Sequence, residues 1–398
     1  MNNHLPSNNL PKPPQIRTKP LDWLKENLFN SWFNTILSII CLGLLYWLGQ
    51  GLIKWLLFGA EWGVITANLR LFFIGSYPVD LIWRTWATLA VLMAGAGFSW
   101  GVLKQSIPLL HRKRWLVLLL TGVAITIVVV PMGFYASLLL WAGLGIFFAS
   151  IFLGKYVVKR FSRIKTWISP LWLLLFFVCF WLLRGGLFLS TVPLDELSGL
   201  ILTLLASIVS IVLSFPFGVL LALGRQSPLP VIRWASIAYI ELIRALPLIG
   251  ILFLAQVMLP LVLPVGTRPE RVIRAIAGFT LFSTAYLAEN VRGGLQSIPR
   301  GQWEAARALG FNTPLSLLLI ILPQALKAVV PAIVGQFISL FKNTSLLAIV
   351  GLVDLVGIGQ SILANPKYIG RYGEVYLFIA LIYWVFCYAM SLASRQLE

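Results

Sequence analysis

The chain is predicted to be an all-α polytopic membrane protein of about ten transmembrane helices, and three observations lead there. Of its 398 residues, 59% are hydrophobic and 11% charged, where a soluble domain is about half apolar and about a quarter charged; mean hydropathy is +0.89. Apolar runs of about 20 residues, each enough to cross the hydrocarbon layer, recur along the length. The period-2 alternation over about ten residues that marks a barrel strand is absent.

Taken in order, the sequence opens on MNNHLPSNNLPKPPQIRTKPLDW, rich in Asn and Pro and without an apolar signal core. Residues 1–30 are expected to be a disordered tail. Spans are expected at 33–59, 82–103, 115–132, 134–153 and 169–189, then 198–224, 236–263, 272–293, 326–350 and 373–394. Pro131 and Gly133 leave the junction at 131–134 open between a tight hairpin and a kink. Lys and Arg concentrate in loops on the cytoplasmic side. The tail, residues 104–114, 155–165 and 225–233 are the basic stretches, and Asp195-Glu196 marks the other side. Ten spans with both termini cytoplasmic satisfy all of them. The formal charge of +18 is therefore a topology signal, and no nucleic-acid partner is implied.

Thirteen of the sixteen tryptophans precede residue 190, many near expected span ends, as an interfacial belt requires. Residues 31–190 are read as an accessory transmembrane region of about five spans and 191–398 as the working unit. Cys41, Cys179 and Cys387 form no CxxC pair, and His4 and His111 lie far apart; no metal site and no catalytic residues are expected. FLGKYV (152–157) lacks the earlier glycine and the hydroxyl residue of a phosphate loop, and GAGFSWG (95–101) misses dinucleotide spacing. ATP, if used, is bound by another polypeptide.

The stretch GQWEAARALGFNTPLSLLLIILPQAL, residues 301–326, interrupts this apolar pattern. The charge rule places 294–325 in the cytoplasm. A helix beginning near Pro299 or Gly301 would carry Glu304 in its first turn, facing the positive dipole end. Ala305 and Ala306 keep one face thin, and Gly310 suits a left-handed C-terminal position. Such a knob, tied at both ends to spans, suits force transfer from a soluble partner; an ordinary interfacial helix is the other reading.

Glu304-Ala305-Ala306, three residues, Gly310, nine residues, Ile320, one residue and Leu322-Pro323 resembles the EAA loop of bacterial ABC importer permeases. YIELIRALPLIGILFL (239–254), AYLAENVRGGLQSIPRGQWEAARALG (285–310) and FISLFKNTSLLAIVGLVDL (337–355) look like that family's polar amino-acid uptake branch. The first half resembles the multi-span extension of the longer permease in general L-amino-acid systems. This resemblance implies a C-terminal five-helix type I permease core in a bacterial inner membrane. It also implies an ATPase-coupling surface of Gln302, Glu304, Ala305, Ala306, Arg307 and Gly310. The implied partners are a cytoplasmic ATPase dimer that binds ATP and Mg, a second permease chain, an extracytoplasmic binding protein, membrane lipid and an L-amino acid.

Four intramembrane charges follow. Glu241 with Arg244, and Glu289 with Arg292, stand at i,i+3 spacing on one helical face. Mutual pairing satisfies them, and Glu289 is also a candidate for the substrate path. Lys342, Asn343, Thr344 and Ser345 lie about 20 Å along the span from 326. There they either meet a substrate carboxylate, or Lys342 snorkels while its neighbours bond adjacent helices. A self-sufficient secondary transporter or channel is the competing class. It calls for intramembrane carboxylates free for ion coupling, whereas both glutamates here have an Arg nearby.

Overall fold

The structure, a computed structural model, describes residues 20–103, 134–264 and 266–395. The expected span 115–132, the junction at 131–133 and most of the tail lie outside the described residues. Among the described residues, eight helices are long and apolar enough to cross a membrane, or nine if one bent pair is a single span. They answer to the other nine expected spans.

The chain divides into two compact units, one ending at Glu61 and the other beginning at Trp62. The first holds α1 (Pro20–Asn27) and α2 (Trp32–Lys54). Ser31 caps α2 by accepting the Asn34 N–H, and a π turn carries the helix to Gly59. No α2 side chain is buried.

The second unit opens with α3 (Gly63–Ile74), which sequence patterning does not separate from its surroundings. Twelve residues reach about 18 Å, too short to cross. Its Val64, Ile65, Leu69 and Phe72 are buried. Next come α4 (Ile82–Leu103), α5 (Phe134–Arg160) and α6 (Ile168–Arg184). Glycines bring α4 and α5 to backbone distance, with Gly97 facing Phe147 and Gly101 facing Ile151. The constant offset means that the two helices run parallel, so Leu103 and Phe134 lie at opposite ends of the pair. On α6, Leu175 faces Gly95, and the Trp172 indole N–H donates to Ser99 Oγ (3.0 Å).

The remaining elements are α7 (Gly199–Arg225), α8 (Pro230–Ala245), α9 (Leu248–Val262), α10 (Arg271–Ser297), α11 (Arg300–Ala308), α12 (Thr313–Leu347), α13 (Leu355–Leu363) and α14 (Tyr372–Ser394). Helices α7 and α10 run parallel: Ser210 bonds the Ile276 carbonyl near one end and Arg225 bonds Glu289 near the other. Helices α8 and α9 make the return between them.

Two expected spans are corrected. The run 236–263 is not one helix but α8 and α9, bent by 103°. Pro247 has no N–H to donate, and Leu246 before it is extended (φ −91°, ψ 138°). The run 326–350 starts earlier, at Thr313, which shortens the expected loop of 294–325 from its C-terminal side. The cause is local: Asn312 caps the helix by accepting the Leu315 N–H (3.0 Å), and Pro314 lies in the first turn, where its missing N–H costs nothing.

Apolar packing concentrates at two levels. At the α11 end, Leu287, Val291, Leu295, Ile321 and Ala325 form one cluster. Toward the opposite end, Leu202, Leu252, Phe279 and Leu340 form another, joined by Tyr77, Val192 and Leu194 from outside the core helices.

Candidate coupling site and the charge network behind it

Helix α11 is built as a rigid knob. Pro299 stands at its start in extended geometry (φ −59°, ψ 142°). At its end Gly310 takes φ +82°, a left-handed conformation that side chains with a Cβ resist. The Gly310 N–H donates to the Arg307 carbonyl (2.9 Å) and the Phe311 N–H to the Ala306 carbonyl (3.1 Å). That pair of bonds is a Schellman closure.

The two alanines divide their tasks. Ala306 is buried while Ala305 is exposed. Trp303, which sequence reasoning passed over, packs on the apolar cluster at the start of α12. Gln324 Nε2 donates to Gln302 Oε1 (3.2 Å), a second tie to α12. Gln302, Glu304, Ala305 and Arg307 are exposed. One expectation fails: no acidic residue lies in the first turn of α11. The helix starts at Arg300, so Glu304 is past the reach of the N-terminal dipole and its carboxylate is free to face a partner.

Behind α11 lies an ion network at the ends of α7, α8 and α10. Arg225 Nη1 reaches Glu289 Oε1 (2.6 Å) and Glu241 Oε1 (3.1 Å). Arg292 Nη2 reaches Glu289 Oε2 (2.8 Å), and Arg244 approaches the same oxygen at 3.7 Å with its guanidinium over the Tyr286 ring. The expected Glu289–Arg292 pair is present. Glu241, however, pairs with Arg225 rather than with Arg244. Spacing along one helix cannot show a cation arriving from another, and Arg225 was counted in the sequence only as a loop charge. Two carboxylates against three guanidiniums leave the cluster with surplus positive charge, in a setting where unpaired charge is expensive.

The residues 342–345 do not form a common polar face. Lys342 is exposed and lies in the last α-helical turn of α12, just before the 3-10 turn at Thr344–Leu347. Because that helix begins at Thr313, Lys342 stands at its far end rather than midway. Thr344 is buried, donates to the Phe341 carbonyl (2.6 Å) and meets the Tyr383 hydroxyl (3.2 Å). Ser345 donates to the Lys342 carbonyl (2.9 Å) and Asn343 is half-buried.

A capped helix seated at the end of two spans, in a chain with eight helices long and apolar enough to cross a membrane among its described residues, is the arrangement of a membrane permease. Residues 214–398 match the family described as the binding-protein-dependent transport system inner membrane component. The inner membrane amino-acid ABC transporter permease protein YhdY of Escherichia coli is 36% identical over 96% of this chain and 93% of its own length. The glutamate/glutamine/aspartate/asparagine transport system permease protein BztC of Rhodobacter capsulatus is 35% identical over 98% and 95%. A probable glutamine ABC transporter permease of Bacillus subtilis, GlnP, is 39% identical over 50% of this chain and 90% of its own. The chain belongs to the amino-acid ABC transporter permeases and is a multi-pass inner membrane protein.

Proposed function

We propose that this chain is the longer permease subunit of an importer for polar L-amino acids. It works with a second permease chain, an extracytoplasmic binding protein and a cytoplasmic ATPase dimer that holds ATP and Mg. Helix α11 faces the cytoplasm and docks in a groove of one ATPase subunit through Glu304, Ala305 and Arg307. Both chain termini then lie in the cytoplasm. The substrate class follows the names of the full-length relatives, one of which carries acidic amino acids and their amides. Substrate passes the Glu289 cluster, where surplus positive charge suits a carboxylate; Lys342 is a second candidate contact.

The observation that carries this reading is the double closure of α11. Gly310 stops it, and Gln302, Trp303 and Ala306 seat it on α12, so a push on its exposed face is delivered to α10 and α12 together. Gly310→Val and Glu304→Lys test it. Both variants are expected in the membrane at the parent's level, losing the ATPase on purification or retaining it without uptake. Parental co-purification and uptake in both variants would remove α11 from the coupling role.

A further inference from the structure

Arg84 is a guanidinium buried without a carboxylate partner. It is 2% exposed, and among the described residues no carboxylate lies within ion-pair distance of it. Its Nε–H is buried without an acceptor. An intramembrane cation in this state is costly and persists only where its remaining bonds matter. Two of its bonds go to Ser190, Nη1 donating to the carbonyl (2.7 Å) and Nη2 to Oγ (2.8 Å), while the guanidinium also neighbours the Tyr77 hydroxyl and the Trp83 ring.

Ser190 belongs to the loop 185–198, which links the extension to the core. Around Arg84 the extension grips this loop at further points. The Tyr77 hydroxyl donates to the Leu183 carbonyl in the last turn of α6, just before the loop (2.7 Å), and the Ser76 N–H donates to Ser198 Oγ at the loop's end (2.7 Å). Gly75 and Gly199, both at positive φ (+57° and +64°), let the end of α3 meet the start of α7; a Cβ on Gly75 would stand 2.0 Å from Ser198 Oγ. The loop in turn holds α10: the Leu194 N–H donates to Glu270 Oε2 (3.0 Å), and Glu270 is the residue before the helix. Arg184 meets the other oxygen of Glu270 at 3.5 Å.

We propose that Arg84 is a positioning residue of the transport cycle, fixing the loop 185–198 so that its bond to Glu270 sets the N-terminus of α10. Helix α10 is unbroken from Arg271 to Ser297 and leads through Pro299 into α11. A displacement at the Glu270 end is therefore carried along the helix toward the coupling end. The extension, on this account, contributes to the link between substrate arrival and ATP hydrolysis. The proposal rests on α11 being the coupling helix, and it adds the far end of the lever.

The test uses the full complex, purified with its ATPase and binding protein and reconstituted, with a mixture of the twenty L-amino acids as probe. In Arg84→Met the ATPase should stay bound and basal hydrolysis should persist. The ratio of stimulated to basal hydrolysis should fall about fivefold or more, the lower range of ordinary coupling energies. Ser190→Ala removes one of the two bonds and should lower the ratio in the same direction by a smaller factor. Arg84→Lys, which keeps a donor, should recover part of the loss. Should Arg84→Met fail to accumulate, Ser190→Ala decides the matter. A parental ratio in Ser190→Ala and in every Arg84 variant that assembles overturns the proposal. Failure of the coupling reading looks different: α11 variants would then leave both ATPase retention and uptake at parental values.

Discussion

Asp354 shows how burial shifts the titration of a single side chain. It is fully buried in the connection between α12 and α14, where Oδ1 accepts the Gly357 N–H (2.9 Å) and Oδ2 has no hydrogen-bond partner. Burial, opposed only in part by backbone donors and the Tyr383 hydroxyl, pushes its acid from 3.8 up to about 7. The folded protein therefore holds a proton that the unfolded chain releases above about pH 4. Between those limits the native state binds more protons, so stability falls as pH rises. The contribution is whole at low pH and lost once pH passes the folded value. The thermal midpoint of the detergent-purified protein should drop between pH 5 and pH 8 by on the order of 5 °C. Asp354→Asn keeps the cap acceptor and should flatten the slope, giving a variant more stable than the parent at pH 8. Parallel pH curves for the two proteins would show that Asp354 is ionised when folded. None of this was visible in the sequence, because nothing in GLVDL shows that Thr203 of α7 and Tyr383 of α14 come to meet it. Thr344, by contrast, does what one of the two sequence readings allowed, its hydroxyl meeting Tyr383 of a neighbouring helix (3.2 Å).

At the scale of elements, α4 and α5 are held by missing side chains. The glycines of GAGFSWG, which fit no dinucleotide fingerprint, have a packing purpose: without water to drive association, membrane helices gain from close backbone approach. A Cβ on Gly97 or Gly101 would stand 2.3 Å from a carbonyl oxygen of α5, whereas Gly145 on α5 has nothing within 4 Å. Gly101→Leu should therefore cost about 1–3 kcal/mol, read as a lower unfolding temperature, and Gly145→Leu should leave it unchanged. Equal behaviour of the two would mean that the helices do not meet through this face. Span existence was legible from apolar length, and α11 was legible because polar residues interrupt an apolar run. Helix breaks were less so: Pro247 ends a helix while Pro216 and Pro331 lie inside theirs. The residue type is the same, and what differs is the backbone before it, extended at Leu246 and helical before Pro216 and Pro331.

For the molecule as a whole, composition placed a boundary near residue 190, where the tryptophans thin out. Packing runs across it. Val64, Ile65, Leu69 and Phe72 of α3 share one apolar cluster with Leu355, Ile358, Val375 and Ile379 of α13 and α14, and Ser198, the cap residue of α7, is bonded from Ser76. A chain beginning at residue 191 would lack α3, leaving the α13–α14 face open and Ser198 without Ser76. Such a fragment should reach a steady-state level several-fold below that of the full chain, the change expected when one or two kcal/mol are lost. Co-expressing residues 1–190 as a separate polypeptide should restore the level, and the two pieces should purify together through a tag on either one. A 191–398 fragment that accumulates like the parent, or a 1–190 fragment that fails to bind it, would make the extension a passenger on a self-sufficient core.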